Sequence, residues 1–101
     1  MRRNPAATTT VEFARVAPDL VEQARVLPTA TLHEASGKRG VLPYAIKPVH
    51  PKFRIAGPAL TVHSPPGDNL WLHRALAIAK PGDVLVVYVN GAYAHGYWGE
   101  I

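Results

Sequence analysis

Apolar positions along the chain fall into two kinds of pattern, and their order predicts an α/β fold. Leu20, Val21, Ala24 and Leu27 recur at helical spacing behind Pro18, which suits a first helical turn, so the pattern predicts a helix over 19–27 that Pro28 ends. A second, short helix follows. Thr31 and Glu34 have capping-box spacing, Thr29 competes as the cap, and Gly37 stands where a helix terminates. From Lys38 to Pro51 the pattern is loop-like, because Pro43, Pro48 and Pro51 interrupt any ladder. Residues 53–63 read as extended, with Gly57-Pro58 implying a bulge or edge position. The strongest helical pattern lies over 68–80. Leu72, Leu76 and Ala79 form its stripe, flanked by Leu70, His73 and Ala77, with Asp68 or Asn69 as cap and Pro81-Gly82 as stop.

Residues 83–89 then form a nearly continuous apolar run, the pattern of a parallel strand covered on both faces. Strand, helix and strand with short connections define a βαβ unit, for which a right-handed crossover is expected. Asn90-Gly91 predicts a turn, and a glycine- and aromatic-rich segment follows. A new helix start is expected at Gly99-Glu100-Ile101, where the chain stops. That ending predicts the N-terminal part of a longer domain: a flexible tail over 1–17, then one partial domain over 18–101.

Composition narrows the classes of function. A length of 101 residues has room for one small domain, and 48% hydrophobic with 18% charged residues is ordinary for a globular one. Cysteine is absent, which removes disulfides, thiolate metal sites and a cysteine nucleophile, and fits a reducing cytoplasm. The net charge of +4 is spread over scattered Lys and Arg, with no aromatic residues interleaved, so no nucleic-acid surface is expected. No apolar run has the length of a membrane span, and Met1–Thr10 has no signal-peptide core. His33, His50, His63, His73 and His95 form no pair at metal-ligating helical or strand spacing. Neither a serine-hydrolase elbow nor a phosphate loop or dinucleotide fingerprint is present.

Three places carry candidate chemistry. Ser64 to Leu70 leaves a strand through a proline-braced turn and enters a helix, which presents polar side chains and helix N–H groups at a sheet edge. Capping accounts for one of Asp68 and Asn69; the second is a polar residue more than capping needs. Glu34 reads either as a surface carboxylate or as a general base in a cleft. Gly99-Glu100 follows the second strand, where α/β sheets place their ligands; it reads equally as a plain helix start.

The segments Thr29-Ala30-Thr31-Leu32-His33-Glu34-Ala35, Gly37-Lys38-Arg39-Gly40, Ala56-Gly57-Pro58-Ala59-Leu60-Thr61-Val62, Pro65-Pro66-Gly67-Asp68-Asn69-Leu70, Pro81-Gly82-Asp83-Val84-Leu85-Val86-Val87 and Trp98-Gly99-Glu100-Ile101 occur in this order. Together, over residues 18–101, they resemble the RraA-like family, which contains 4-hydroxy-4-methyl-2-oxoglutarate / 4-carboxy-4-hydroxy-2-oxoadipate aldolases and the regulator of ribonuclease activity A. The resemblance implies a swivelling β/β/α sandwich, of which this chain would be a truncated form, and a homotrimer or hexamer at full length. It implies retro-aldol cleavage of a small 4-hydroxy-2-oxo acid with magnesium or manganese, releasing pyruvate, and oxaloacetate decarboxylation as a side activity. By resemblance Glu100, Glu34 and Asn69 would be catalytic, and Gly99, Glu100, Ile101 and Leu70 would bind substrate. The family's Arg-Asp pair, whose aspartate binds the metal, is expected beyond residue 101. A second departure is Tyr88-Val89-Asn90-Gly91, where the family usually has an aspartate and a glycine run. A non-catalytic ribonuclease regulator and an inactive fragment are the rival expectations.

Overall fold

The β-branched runs pair as the apolar pattern predicts, and a helix lies between them in sequence. The structure, a computed structural model, describes residues 12–98. Its element order is α1 (Pro18–Arg25), α2 (Thr29–Ala35), β1 (Ala59–His63), α3 (Leu70–Ile78) and β2 (Val84–Tyr88). These elements fall into two units, one formed by Val16–Gly57 and the other by residues 12–15 with 58–98.

In the second of these, β1 and β2 pair in parallel, from Ala59 opposite Val84 to His63 opposite Tyr88. Bonds from Val84 N–H to the Pro58 carbonyl (2.8 Å) and from Ser64 N–H to the Tyr88 carbonyl (2.9 Å) extend the ladder at its ends. Proline has no N–H but keeps its acceptor, so Pro58 can open this ladder without a donor. The strand is shorter than the extended run over 53–63 suggests: residues 53–57 lie in the other unit and form no strand.

Along β1 burial alternates. Leu60 and Val62 are buried while Ala59, Thr61 and His63 are exposed, as expected for a sheet with one covered face. The covering element is α3, whose Leu72 and Ala75 complete a core with Leu60 and Val62. Phe13, Trp71, Ile78, Ala79, Leu85 and Tyr97 pack around it. Two expectations are corrected here. The stripe read as Leu72, Leu76 and Ala79 is centred instead on Leu72 and Ala75, and Leu76 is 39% exposed. Among the described residues the apolar run of β2 is not covered on both faces, since Val84–Val86 are half-buried and Val87 and Tyr88 are exposed. Periodicity tells that a residue is apolar, not on which side a partner is available.

One ion pair closes this unit. Arg15 donates from Nε to Asp83 Oδ1 (2.8 Å) and from Nη2 to Asp83 Oδ2 (2.7 Å), a bidentate fork. Nη2 also reaches the Ile78 carbonyl (3.0 Å), satisfying a terminal acceptor of α3 with a positive charge at the negative end of the helix. The guanidinium lies 4.2 Å from the centre of the Phe13 ring. Asp83 Oδ2 accepts a further bond from Lys80 N–H (2.8 Å). The Asp83 side chain is 3% exposed. Arg15 is thus not the solvated charge that its scattered position suggests, and it lies within the stretch expected to be a flexible tail.

Hydrogen bonds from Arg15 and from the Lys80 amide hold the Asp83 carboxyl down from 3.8 to about 2. The folded value is below the unfolded one, so the carboxylate stabilises the fold above the unfolded value and loses this contribution as pH falls toward 2. The expected result is that wild type is more stable than Asp83→Asn near neutral pH and that the two urea midpoints converge between about pH 5 and pH 2. A gap between them that stays constant over that range would exclude the ion pair as its source.

In the unit Val16–Gly57, α1 and α2 bury no residue fully. Val21, Ala24 and His33 are half-buried. Arg54 donates to the carbonyls of Arg25 (3.0 Å) and Leu27 (3.4 Å), which satisfies acceptors at and just beyond the end of α1. Leu27 lies outside the helix, because the residue before a proline is pushed away from helical geometry.

The expected capping box on α2 does not form. Pro28 is the N-cap, with φ −61° and ψ 138°, and no side chain caps the helix. Leu32 N–H bonds to the Pro28 carbonyl (3.1 Å), so the first turn closes before Thr31 can act as a cap, and Thr29 is already inside the helix. Gly37 does terminate α2. It adopts φ +77°, and bonds from Gly37 N–H to the Glu34 carbonyl (3.1 Å) and Lys38 N–H to the His33 carbonyl (2.8 Å) complete a Schellman motif.

Candidate functional site

Polar groups collect where the two parallel strands end. The chain leaves β1 at Ser64, which is fully buried. Its amide is held by Tyr88, while its hydroxyl has no hydrogen-bond partner among the described residues. Residues 65–68 turn through a bond from Asp68 N–H to the Pro65 carbonyl (3.0 Å), with Gly67 at φ +74°, a conformation that glycine adopts without strain.

Asp68 and Asn69 divide their work. Asp68 Oδ1 accepts the Leu70 N–H (2.8 Å), a local turn made just ahead of α3. Asn69 occupies the N-cap position, yet its side chain makes no cap bond and the residue is exposed. Leu70 opens the helix and is 46% exposed. The helix is shorter at both ends than predicted, and its cap position is filled without the side-chain bond expected of Asp68 or Asn69.

On the β2 side, His63 Nε2 and Asn90 Oδ1 are 3.0 Å apart, and the His63 and Tyr88 rings lie tilted with centroids 5.1 Å apart. Asn90 (φ +56°) and Gly91 (φ +75°) make the predicted turn, closed by Ala92 N–H to the Val89 carbonyl (3.1 Å). Beyond it, Tyr97 reaches back to the turn at Gly67. The sequence marks 92–98 as glycine- and aromatic-rich without singling out Tyr97, because no spacing rule pairs Tyr97 with Gly67.

The expected site residues separate as follows. Asn69 and Leu70 stand together at the start of α3. Glu34 lies on α2, in the other unit, with its side chain exposed. Gly99, Glu100 and Ile101 lie outside the described residues. Among the described residues no three His, Cys, Asp or Glu side chains form a group that would hold a metal ion. No helix among them is long and apolar enough to cross a membrane.

A parallel strand–helix–strand unit with polar groups gathered at its strand ends is an α/β arrangement that serves ligand binding. The family model described as RraA-like, Aldolase/RraA, matches residues 17–101, and the chain belongs to that family. It is similar to a protein of Halalkalibacterium halodurans named, provisionally, 4-hydroxy-4-methyl-2-oxoglutarate aldolase, with 37% identity over 73 residues. Those residues are 72% of this chain and 35% of that protein, so the chain spans about a third of the length of the curated relative that it matches. No solved structure matches.

Proposed function

We propose that the protein carrying this chain is an aldolase that cleaves 4-hydroxy-4-methyl-2-oxoglutarate or a related 4-hydroxy-2-oxo diacid and releases pyruvate. The observation that carries this reading is the joint one: a family match over 17–101 and 37% identity to a protein bearing that aldolase name.

The reaction defines what the residues must do. The C4 hydroxyl gives up its proton and becomes a carbonyl as the C3–C4 bond breaks. The electron pair of that bond becomes the enolate of pyruvate, and C3 then takes a proton. Glu100 is the group we assign to this proton transfer, directly or through a water. Backbone N–H groups of Gly99, Glu100 and Ile101 would bind the pyruvyl carboxylate. Asn69, whose side chain is not used in capping, offers hydrogen bonds, Leu70 offers an apolar wall, and Glu34 is a second candidate base.

Dependence on magnesium or manganese, oxaloacetate decarboxylation, a trimeric or hexameric assembly and a cytoplasmic location belong to the same proposal. The described residues do not supply a metal donor set. The 101 residues contain no Arg-Asp dipeptide. The aldolase reading assigns that pair, and the cation's ligands, to residues outside the chain.

Pyruvate release from 4-hydroxy-4-methyl-2-oxoglutarate, with and without magnesium, tests this. Two proteins are assayed: the chain, and the chain joined to the residues that follow the matched stretch in the H. halodurans relative. Magnesium-dependent release by the joined protein alone is the expected result. Release by the chain alone would keep the aldolase and remove the requirement for the Arg-Asp pair. Silence from both would sink the aldolase reading in favour of binding without catalysis.

A further inference from the structure

One side chain joins the two turns at the strand ends. The Tyr97 hydroxyl accepts the Gly67 N–H (3.0 Å) and donates to the Ala92 carbonyl (2.6 Å). Its ring packs against the core of Leu60, Val62, Leu72 and Ala75. The phenol therefore touches three separate pieces of chain: the turn before α3, the segment after β2, and the layer between helix and sheet. The His95 ring adds to the closure. It lies 3.6 Å from where a β-carbon on Gly67 would stand, and it meets the Tyr97 ring edge-on, with centroids 6.4 Å apart.

The segment needs such a tie. After β2 the chain runs through Gly91, Ala92, Ala94 and Gly96, whose small side chains bury little surface and restrict the backbone little. The hydroxyl bonds compensate by fixing the segment at Ala92 and docking it on Gly67. Phenylalanine would keep the ring in the core and lose both bonds. Serine or threonine would lack the reach from a core-packed position.

We infer that Tyr97 is a positioning residue, whose hydroxyl sets the segment after β2 against the turn that leads into α3. Its catalytic consequence rests on the proposed aldolase reading. In sequence Tyr97 stands three residues before Glu100 and Gly67 two residues before Asn69, so the tether links the chain just ahead of two of the three stretches to which that reading assigns the site.

The test is Tyr97→Phe, with amide exchange measured on the chain and kinetics on whichever protein turns over. Gly67 amide exchange should accelerate about fivefold, the factor that one hydrogen bond of ordinary net strength represents. The amides of Leu60 and Leu72 should keep their protection, which separates a lost tether from unfolding. For 4-hydroxy-4-methyl-2-oxoglutarate, kcat should fall about tenfold with KM within about twofold, because alignment rather than affinity is lost. Unchanged exchange at Gly67 would overturn the tether. Faster exchange with unchanged kcat and KM would overturn the positioning role. If neither unsubstituted protein releases pyruvate, the aldolase reading and the catalytic consequence fall together, while Gly67 exchange still decides the tether.

Discussion

Replacing Leu72 with alanine should destabilise the chain by about 3 kcal/mol, whereas Leu76→Ala should cost less than about 1 kcal/mol. The two leucines are one helical turn apart on α3 and equally apolar, and they differ in what surrounds them. Leu72 is 3% exposed and packed in the cluster with Leu60, Val62 and Ala75; Leu76 is 39% exposed. Truncating Leu72 removes its transfer energy and leaves a cavity between helix and sheet that neighbouring side chains fill only in part. Buried apolar side chains among the described residues are few, namely Leu60, Val62, Leu72, Ala75 and Val89, so there is little else to absorb the loss. Domains are held by only about 5–15 kcal/mol in total, which makes this loss a large fraction. Urea unfolding of both variants, followed by far-ultraviolet circular dichroism, checks the prediction. Equal losses would mean that α3 packs through the stripe read from periodicity and not through Leu72 and Ala75.

The same pair of residues explains what could be read from the sequence and what could not. Helical spacing over 68–80 and a β-branched run over 83–89 mark their elements, because local propensity and pattern act along the chain. Choosing Leu72 with Ala75 over Leu72 with Leu76 depends on where β1 lies, which is a through-space fact. The apolar run of β2 reads as covered on both faces for the same reason. Arg15 and Asp83 are 68 positions apart, and no short-range rule joins them. Around Thr31 and Glu34 the error has a different source. Their spacing suits a capping box, but Pro28 fixes the entry into α2 three residues earlier, and backbone geometry overrides side-chain preference.

For the site, one ambiguity resolved into a division of labour. The sequence shows two adjacent polar residues where one would cap. In the fold Asp68 takes the Leu70 amide, and Asn69 keeps an exposed side chain with no cap bond. Tyr97 was invisible to spacing rules because its partner at Gly67 is a backbone N–H, which every non-proline residue carries. Six short motifs in one order were legible in another way: each is weak, but their joint order identifies the RraA-like family, and the family match covers the same stretch.

On the proposed aldolase reading, Glu100→Gln should lower kcat for pyruvate release by about a hundredfold or more in the protein that turns over, which is the scale of a lost general acid–base group. Glutamine keeps the size and a hydrogen-bonding carbonyl, so substrate binding should change little and the loss should fall on kcat rather than KM. The reaction needs a proton removed from the C4 hydroxyl and another delivered to C3, and an amide does neither at neutral pH. Glu22→Gln is the control. Glu22 is an exposed carboxylate on α1, paired with Arg25 at 3.2 Å, and its neutralisation should leave kcat unchanged. Glu34→Gln then separates the two candidate bases. If Glu34→Gln causes the hundredfold loss and Glu100→Gln does not, the proton passes through the carboxylate on α2, and Glu100 belongs to substrate binding alone. If both variants keep full kcat while magnesium-dependent pyruvate release persists, neither carboxylate carries the proton, and the assignment of the reaction to Gly99-Glu100 and α2 is wrong.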